Sequence, residues 1–174
     1  ATSTAEHDLP IAELAERCGT AVVRGDEADV LSRFEQVAQT HPADHIVRLT
    51  ADCPLMDAAV VAAALAQHVA SGADYTSNTL IRTFPDGLDV EVLTRRALQT
   101  AAREAHDPVE REHVTPFVYR RPERFRLASI RTDALLGEER WTVDTPADLE
   151  RIRALRAQLP DPAAAWTELA KHVT

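Results

Sequence analysis

Hydrophobic positions along this chain switch repeatedly between a helical period and a strand period. Ile11, Leu14, Ala15 and Cys18 share one face of a helix predicted over 9–18, and Ala21-Val22-Val23 reads as a short buried strand. Val30, Leu31, Phe34, Val37 and Ala38 then mark the inward face of a helix over 27–39. Residues 44–50, DHIVRLT, read as a strand, and a helix over 58–70 follows an Asp57 cap. A strand at 73–77 precedes IRTFPDGLDVEVL, where the rhythm breaks. There Asp86-Gly87 is a turn signal, and Leu88, Val90 and Val92 alternate with Asp89 and Glu91 as a half-exposed strand. This stretch predicts a hairpin or arm. Beyond it the pattern predicts a helix over 95–105 after a Thr94 cap, a helix over 108–122 bent or interrupted at Pro116, and strands at 125–131 and 140–143. Final helices follow at 146–158 and 163–172.

Such alternation indicates an α/β fold with a largely parallel sheet, whose ligands bind beyond the carboxyl ends of the strands. A chain of 174 residues suits a single domain over 1–174, with no internal repeat and no linker composition. The formal charge of -9 excludes a generic nucleic-acid or anionic-membrane surface, since neither partner is attracted by a net acidic field. Two cysteines, Cys18 and Cys53, are too few and too badly spaced for a disulfide framework or a zinc ribbon. With no signal-like segment and no long apolar run, the expectation is a cytoplasmic protein.

The chemistry starts from RWTVDTPADLE at 140–150. Thr145 fits an N-cap, Pro146 the first helical position, and Asp148 can reach back to the cap. Asp144 has no such role, and it stands where the strand has ended and the helix has not begun. Asp52 stands in the equivalent place after DHIVRLT. Two carboxylates at neighbouring strand ends repel by roughly 4 kcal/mol at about 4 Å and an effective dielectric of about 20, unless a proton or cation intervenes. Hard oxygen ligands from two side chains suit magnesium, which keeps several waters and completes its shell with substrate phosphates. The plain alternative is an ordinary strand-to-helix turn at Asp144 and a loop-amide acceptor at Asp52. Cys53 reads as a small buried residue rather than a nucleophile. His41 and His45 have i,i+4 spacing, but Pro42 spoils the helix that a zinc pair needs. Glu110, Glu112 and His113 read as a solvated helix face that could also contact substrate. RRPERFR at 120–126 reads as surface charge able to meet an anion.

Four stretches in order, RLTADCPLMD, ADYTSNTLIRTFPDGLDVEV, PVEREHVTPFVYRRPERFRL and RWTVDTPADLE, resemble the spore-coat-polysaccharide branch of the cytidylyltransferases. These are relatives of the enzymes that make CMP-activated acid sugars, and the resemblance runs from residue 1 to about residue 158. It implies a Rossmann-like nucleotidyltransferase fold that usually dimerises, with magnesium held by Asp52 and Asp144 as the catalytic aspartates. The implied reaction transfers a cytidylyl group from CTP to a sugar or related small acceptor and releases pyrophosphate. Arg82, Asp86, Asp89, Glu112 and His113 fall in the same motifs and stand as candidate substrate-binding residues. Residues 78–92, carrying Leu80, Ile81, Phe84 and Leu88, are the expected arm of a symmetric homodimer.

The sequence departs from the family pattern in two places. Family members begin with a strand, a loop resembling A-R-x-x-S-x-R-L-P-x-K, a helix and a second strand that ends near a motif like ATST, which here stands at residues 1–4. The expectation is that this first strand–loop–helix–strand unit is absent, and none of the glycines at 19, 25, 72, 87 and 137 is clustered to replace its triphosphate loop. Ala51 stands where the family commonly has Gly before the aspartate. These departures leave a second reading from another class, a non-catalytic dimerising domain that has lost nucleotide binding. A magnesium-dependent phosphohydrolase is a third, for which no obvious nucleophile accompanies the carboxylates.

Overall fold

The computed structural model describes residues 1–158 and 164–172. In chain order its elements are β1 (Thr2–Ser3), a 3-10 turn (Glu6–Asp8), α1 (Leu9–Arg17), β2 (Arg24–Gly25), α2 (Val30–Thr40), β3 (His45–Arg48), α3 (Ala58–Ser71) and β4 (Tyr75–Ser77). There follow β5 (Glu91–Thr94), α4 (Arg95–Glu104), α5 (Pro108–His113), α6 (Pro116–Tyr119), β6 (Leu127–Ser129), α7 (Pro146–Ala157) and α8 (Trp166–Ala170). Residue 163, where the last helix was expected to start, lies outside the described residues. The chain divides into two compact units, Ala1–Ile46 with Leu93–Leu127, and Val47–Val92 with Ala128–Thr174.

In the first unit β1 and β2 pair in parallel, Thr2 against Arg24 and Ser3 against Gly25. The ladder therefore begins just after Ala21-Val22-Val23, the residues predicted as the strand. Arg24 fastens the pair with its own side chain, donating to the carbonyls of Ser3 at 2.8 Å and Ala5 at 2.9 Å. Helix α2 buries Leu31 and Ala38, and α4 buries Ala97, Leu98 and Ala101 behind the Thr94 cap, whose hydroxyl accepts from the Ala97 amide. Helix α1 departs from expectation. Ile11 and Leu14, placed inward by spacing, are 56% and 53% exposed, Cys18 is exposed, and the buried face is centred on Ala12. The predicted helix over 108–122 is two short helices. Val114, at φ 70°, ends the first, and Pro116 opens the second, where its missing amide costs nothing.

In the second unit, residues 47–48, 91–92, 75–77 and 128–129 carry a sheet of order β3-β5-β4-β6. It is mixed rather than mostly parallel as expected. The chain passes from β4 to β5 through 78–90 without a helix, so the crossover that enforces parallel neighbours is missing there. That connecting segment also differs from a projecting arm. Phe84, Leu88, Val90 and Val92 join Val60 and Ala64 of α3, Trp141, Ile152 and Leu155 of α7 and Trp166 of α8 in one core. Asn78 closes the segment upon itself, donating to the Leu88 carbonyl at 2.6 Å and accepting from the Val90 amide at 2.9 Å. Ile81 stays 45% exposed.

Glu91, placed on a solvent side by alternation, is buried. It has been drawn in by two partners: the Tyr75 hydroxyl donates to Oε1 at 2.7 Å, and Arg48 donates to Oε2. A buried carboxylate is tolerable only with such pairing.

Candidate functional site

The site forms in the second unit, where the loop after β3 meets the segment leading into α7. The amide of Val143 donates to the Asp52 carbonyl at 2.9 Å, which sets the Asp144 backbone one residue from that of Asp52. The expected strand at 140–143 is reduced to a single parallel bridge between Asp86 and Arg140. Two bonds make it: the Asp86 amide to the Glu139 carbonyl at 2.8 Å, and the Trp141 amide to the Asp86 carbonyl at 2.6 Å. Gly87 permits this approach, since at φ 111° a Cβ would stand 2.7 Å from the Trp141 carbonyl carbon. The Asp86-Gly87 turn therefore serves as a contact to the segment before Asp144.

The start of α7 follows the pattern read from the sequence. The Thr145 hydroxyl accepts from the Asp148 amide, and Asp148 accepts from the Thr145 amide, a complete capping box with Pro146 in the first turn. Asp144 differs from the free-standing carboxylate expected. Its Oδ2 accepts from the Arg140 guanidinium and lies 3.3 Å from the Thr142 hydroxyl. Arg140 also donates to Asp148 at 2.6 Å. Those bonds from Arg140 and Thr145 hold the Asp148 carboxyl well below the usual carboxylate range.

Asp52 is half-buried beside Cys53, which is buried as the sequence indicated. The Cys53 thiol is 3.1 Å from the Thr50 hydroxyl. Burial first, and then the charges of Asp52 and Asp89, push the thiol up to about 11, which disfavours the thiolate at neutral pH. Arg82 grips Asp89 through two parallel bonds of 2.8 Å each and lies 3.5 Å from Asp86. The structure thus gathers Asp52, Asp144, Arg82, Asp86 and Asp89 into one neighbourhood, together with Arg140 and Asp148. Arg140 was missed as a site residue; its i,i+4 relation to Asp144 was the available signal. A groove of about 650 Å³ runs alongside, lined by Ala51, Leu55, Val143, Ile152, Arg153 and Arg156.

Glu112 and His113 belong to the first unit and are exposed on α5. Their neighbour Glu110 is buried instead of solvated, because Arg121 donates to it at 2.7 Å. Arg121 and Arg124 of the 120–126 run are thereby partly spent on structure, the latter on Glu104 at 2.7 Å.

Among the described residues no group of three or more His, Cys, Asp or Glu side chains forms a cation cage. Asp52 and Asp144 offer two hard oxygen donors on loops joined by the Val143–Asp52 bond, and Asp144 already accepts from the Arg140 guanidinium. That donor set fits magnesium, which takes one or two carboxylates and fills its remaining positions with water and phosphate. No helix among the described residues is long and apolar enough to cross a membrane.

Comparison with known proteins gives a consistent picture. The family profile described as Cytidylyltransferase matches residues 1–167. An uncharacterised protein of Methanocaldococcus jannaschii is 35% identical over 152 residues, covering 86% of this chain and 61% of the relative. The spore coat polysaccharide biosynthesis protein SpsF of Bacillus subtilis is 32% identical over 158 residues, covering 89% and 65%. The chain thus spans less than two thirds of the length of these two curated relatives. A solved cytidylyltransferase from Leptospira borgpetersenii superposes with a TM-score of 0.93 at 27% identity, over 98% of this chain and 73% of that one. A molybdopterin-guanine dinucleotide biosynthesis protein A from Archaeoglobus fulgidus shares the fold at a TM-score of 0.56 and 14% identity, over 86% and 75%.

Proposed function

The chain belongs to the cytidylyltransferase family, and from that premise we propose that its residues serve transfer of a cytidylyl group from CTP to a sugar or sugar-like acceptor, in the building of a cell-surface polysaccharide. The acceptor oxygen forms a bond to the α-phosphorus of CTP as the bridging bond to the β-phosphate breaks, and pyrophosphate leaves with the β- and γ-phosphoryl groups. The proton of the acceptor hydroxyl passes to solvent.

The observation that supports this reading is the bond from the Val143 amide to the Asp52 carbonyl, which joins the two loops that carry Asp52 and Asp144. Asp52 and Asp144 would hold magnesium, whose chemistry is to screen the triphosphate and stabilise charge developing at the α-phosphate and its leaving group. The protein's own contribution is position. Arg82, Asp86 and Asp89 are assigned to substrate binding, with Arg82 steadying two carboxylates that present fixed acceptors to sugar hydroxyls. The sequence supplies no clustered glycines to cradle a triphosphate.

The test is pyrophosphate release from CTP with magnesium and a panel of monosaccharides, with ATP, GTP and UTP as controls. It is run on this chain and on a form extended by the family's first strand, loop, helix and second strand. Release that needs CTP and an acceptor, and that Asp52→Asn or Asp144→Asn abolishes, supports the reading. Release indifferent to both substitutions sinks it.

A further inference from the structure

Arg140 has two attachments of unequal firmness. Its Nη1 donates to Asp148 Oδ1 at 2.6 Å, and its Nη2 lies 3.3 Å from Asp148 Oδ2. Asp148 is itself locked: its Oδ2 accepts from the amides of Asp144 at 3.1 Å and Thr145 at 2.9 Å, and from the Thr145 hydroxyl at 2.9 Å. The guanidinium is therefore anchored on the first turn of α7. Its other attachment, Nη2 to Asp144 Oδ2, ends on a side chain that is 57% exposed and backed by the Thr142 hydroxyl alone among the bonds described.

We propose that Arg140 is a resident stand-in cation for Asp144, holding that carboxylate in the metal-free protein and competing with an incoming divalent ion for the same oxygen. This rests on the reading of Asp144 as a metal-holding residue. An oxygen already neutralised by a guanidinium is a poorer ligand for a second cation, because the two charges repel and one lone pair is engaged. The handover is inexpensive. Arg140 gives up one exposed charge-assisted bond and keeps its anchor on Asp148, so no long side chain is set free. One Nη2 hydrogen is released beside Asp144 while the other stays toward Asp148 Oδ2, and the released N–H suits a phosphate oxygen of the nucleotide. Arg140 is thus a positioning residue. It keeps the carboxylate turned toward the cation position, and it lets the site discriminate against a bare divalent ion arriving without an anionic ligand to take up the released donor.

The decisive measurement is binding of Mn²⁺ alone, followed by paramagnetic resonance of free Mn²⁺, in the full chain without nucleotide. Arg140→Gln is expected to tighten binding by about three- to fivefold, the range of an exposed ion pair removed from competition. Arg140→Lys, a point charge without the fork, falls between Gln and the native residue. Arg153→Gln, which removes the same charge from α7 rather than from the segment before it, changes affinity by less than about twofold and so reports the general field. Adding Asp144→Asn to Arg140→Gln erases the gain. Unchanged or weaker Mn²⁺ binding in Arg140→Gln, or an equal gain in Arg153→Gln, overturns the stand-in role while loss of binding in Asp144→Asn leaves the metal reading intact. Native affinity in Asp144→Asn overturns both.

Discussion

Val143, the residue before Asp144, donates its amide to the Asp52 carbonyl, so one backbone bond joins the two aspartate-bearing loops although 92 positions separate Asp52 from Asp144 (144 minus 52). Asp52→Asn and Asp144→Asn are each expected to weaken divalent-ion binding by about tenfold, or about 1.4 kcal/mol. Asp52 is half-buried and holds no ion pair among the bonds described, and polar substitutions away from the core change stability by only about 0.5 kcal/mol. Urea unfolding of Asp52→Asn should therefore overlay the native curve. A large loss of stability together with unchanged ion binding would make Asp52 a structural loop residue.

Nucleotide affinity provides a separate check. Titrated by calorimetry with CTP and magnesium, this chain binds poorly, and the form extended by the family's first unit binds at least about tenfold more tightly. The reason is that two aspartates cannot hold a triphosphate without backbone amides and basic groups around it. Equally tight binding by both forms would show that the present residues complete a nucleotide site.

The Tyr75–Glu91–Arg48 cluster is where stability is most exposed to mutation. Tyr75→Phe removes one bond to a charged acceptor and is expected to cost about 1.5–3 kcal/mol. Glu91→Ala leaves Arg48 enclosed without its carboxylate and costs more, about 3–5 kcal/mol. Chemical denaturation of the two variants measures the ranking; a milder loss for Glu91→Ala would mean that water reaches Arg48.

Cys53 makes stability fall at alkaline pH. Its folded thiol is raised from 9.0 to about 11 by burial, so between those values the unfolded chain has lost a proton that the folded chain keeps. Fewer protons on the unfolded state means that stability declines as pH rises through this window and is full below it. Cys53→Ser should flatten the decline between pH 9 and pH 11 measured in urea. The native thiol should also resist iodoacetamide at pH 8 far better than exposed Cys18 does.

Residues 78–92 are proposed to take part in a homodimer, now through Ile81 rather than through the whole apolar set, because Phe84, Leu88, Val90 and Val92 are committed to the core. Sedimentation at micromolar concentration should show a dimer that Ile81→Glu shifts toward monomer. A monomeric native chain would remove the arm from consideration.

What the sequence disclosed was local. The caps at Asp57, Thr94 and Thr145 sit where they were read, since a cap is decided within four residues. The Asp86-Gly87 turn and the burial of Cys53 were also legible. Strand direction was not, because it depends on whether the link between β4 and β5 contains a helix, and 78–90 carries an ambiguous pattern. Glu91 looked solvent-facing by alternation because its partner Arg48 lies 43 residues away. Helix α1 shows the converse: Ile11 and Leu14 have the spacing of a core face, yet the unit packs against the small side chain of Ala12. Asp52 and Asp144 were singled out from expected strand ends, and the structure joins their loops through the Val143–Asp52 bond although neither residue ends a strand. The grip of Arg140 on Asp144 had its one signal in their i,i+4 spacing, whereas the anchor that Asp148 supplies is visible only in three dimensions.

Val114 turns the chain between α5 and α6 at φ 70° with its side chain wholly enclosed. A branched residue resists that backbone state at a cost of about 1–3 kcal/mol, so no fragment containing the corner would adopt it unaided. The corner acquires its shape only when the surrounding side chains close over the isopropyl group, which places it late in the order of folding. Truncating Val114 to Ala should then hasten unfolding while leaving the refolding rate nearly unchanged, marking this bend as one of the last things the polypeptide learns and the first it forgets.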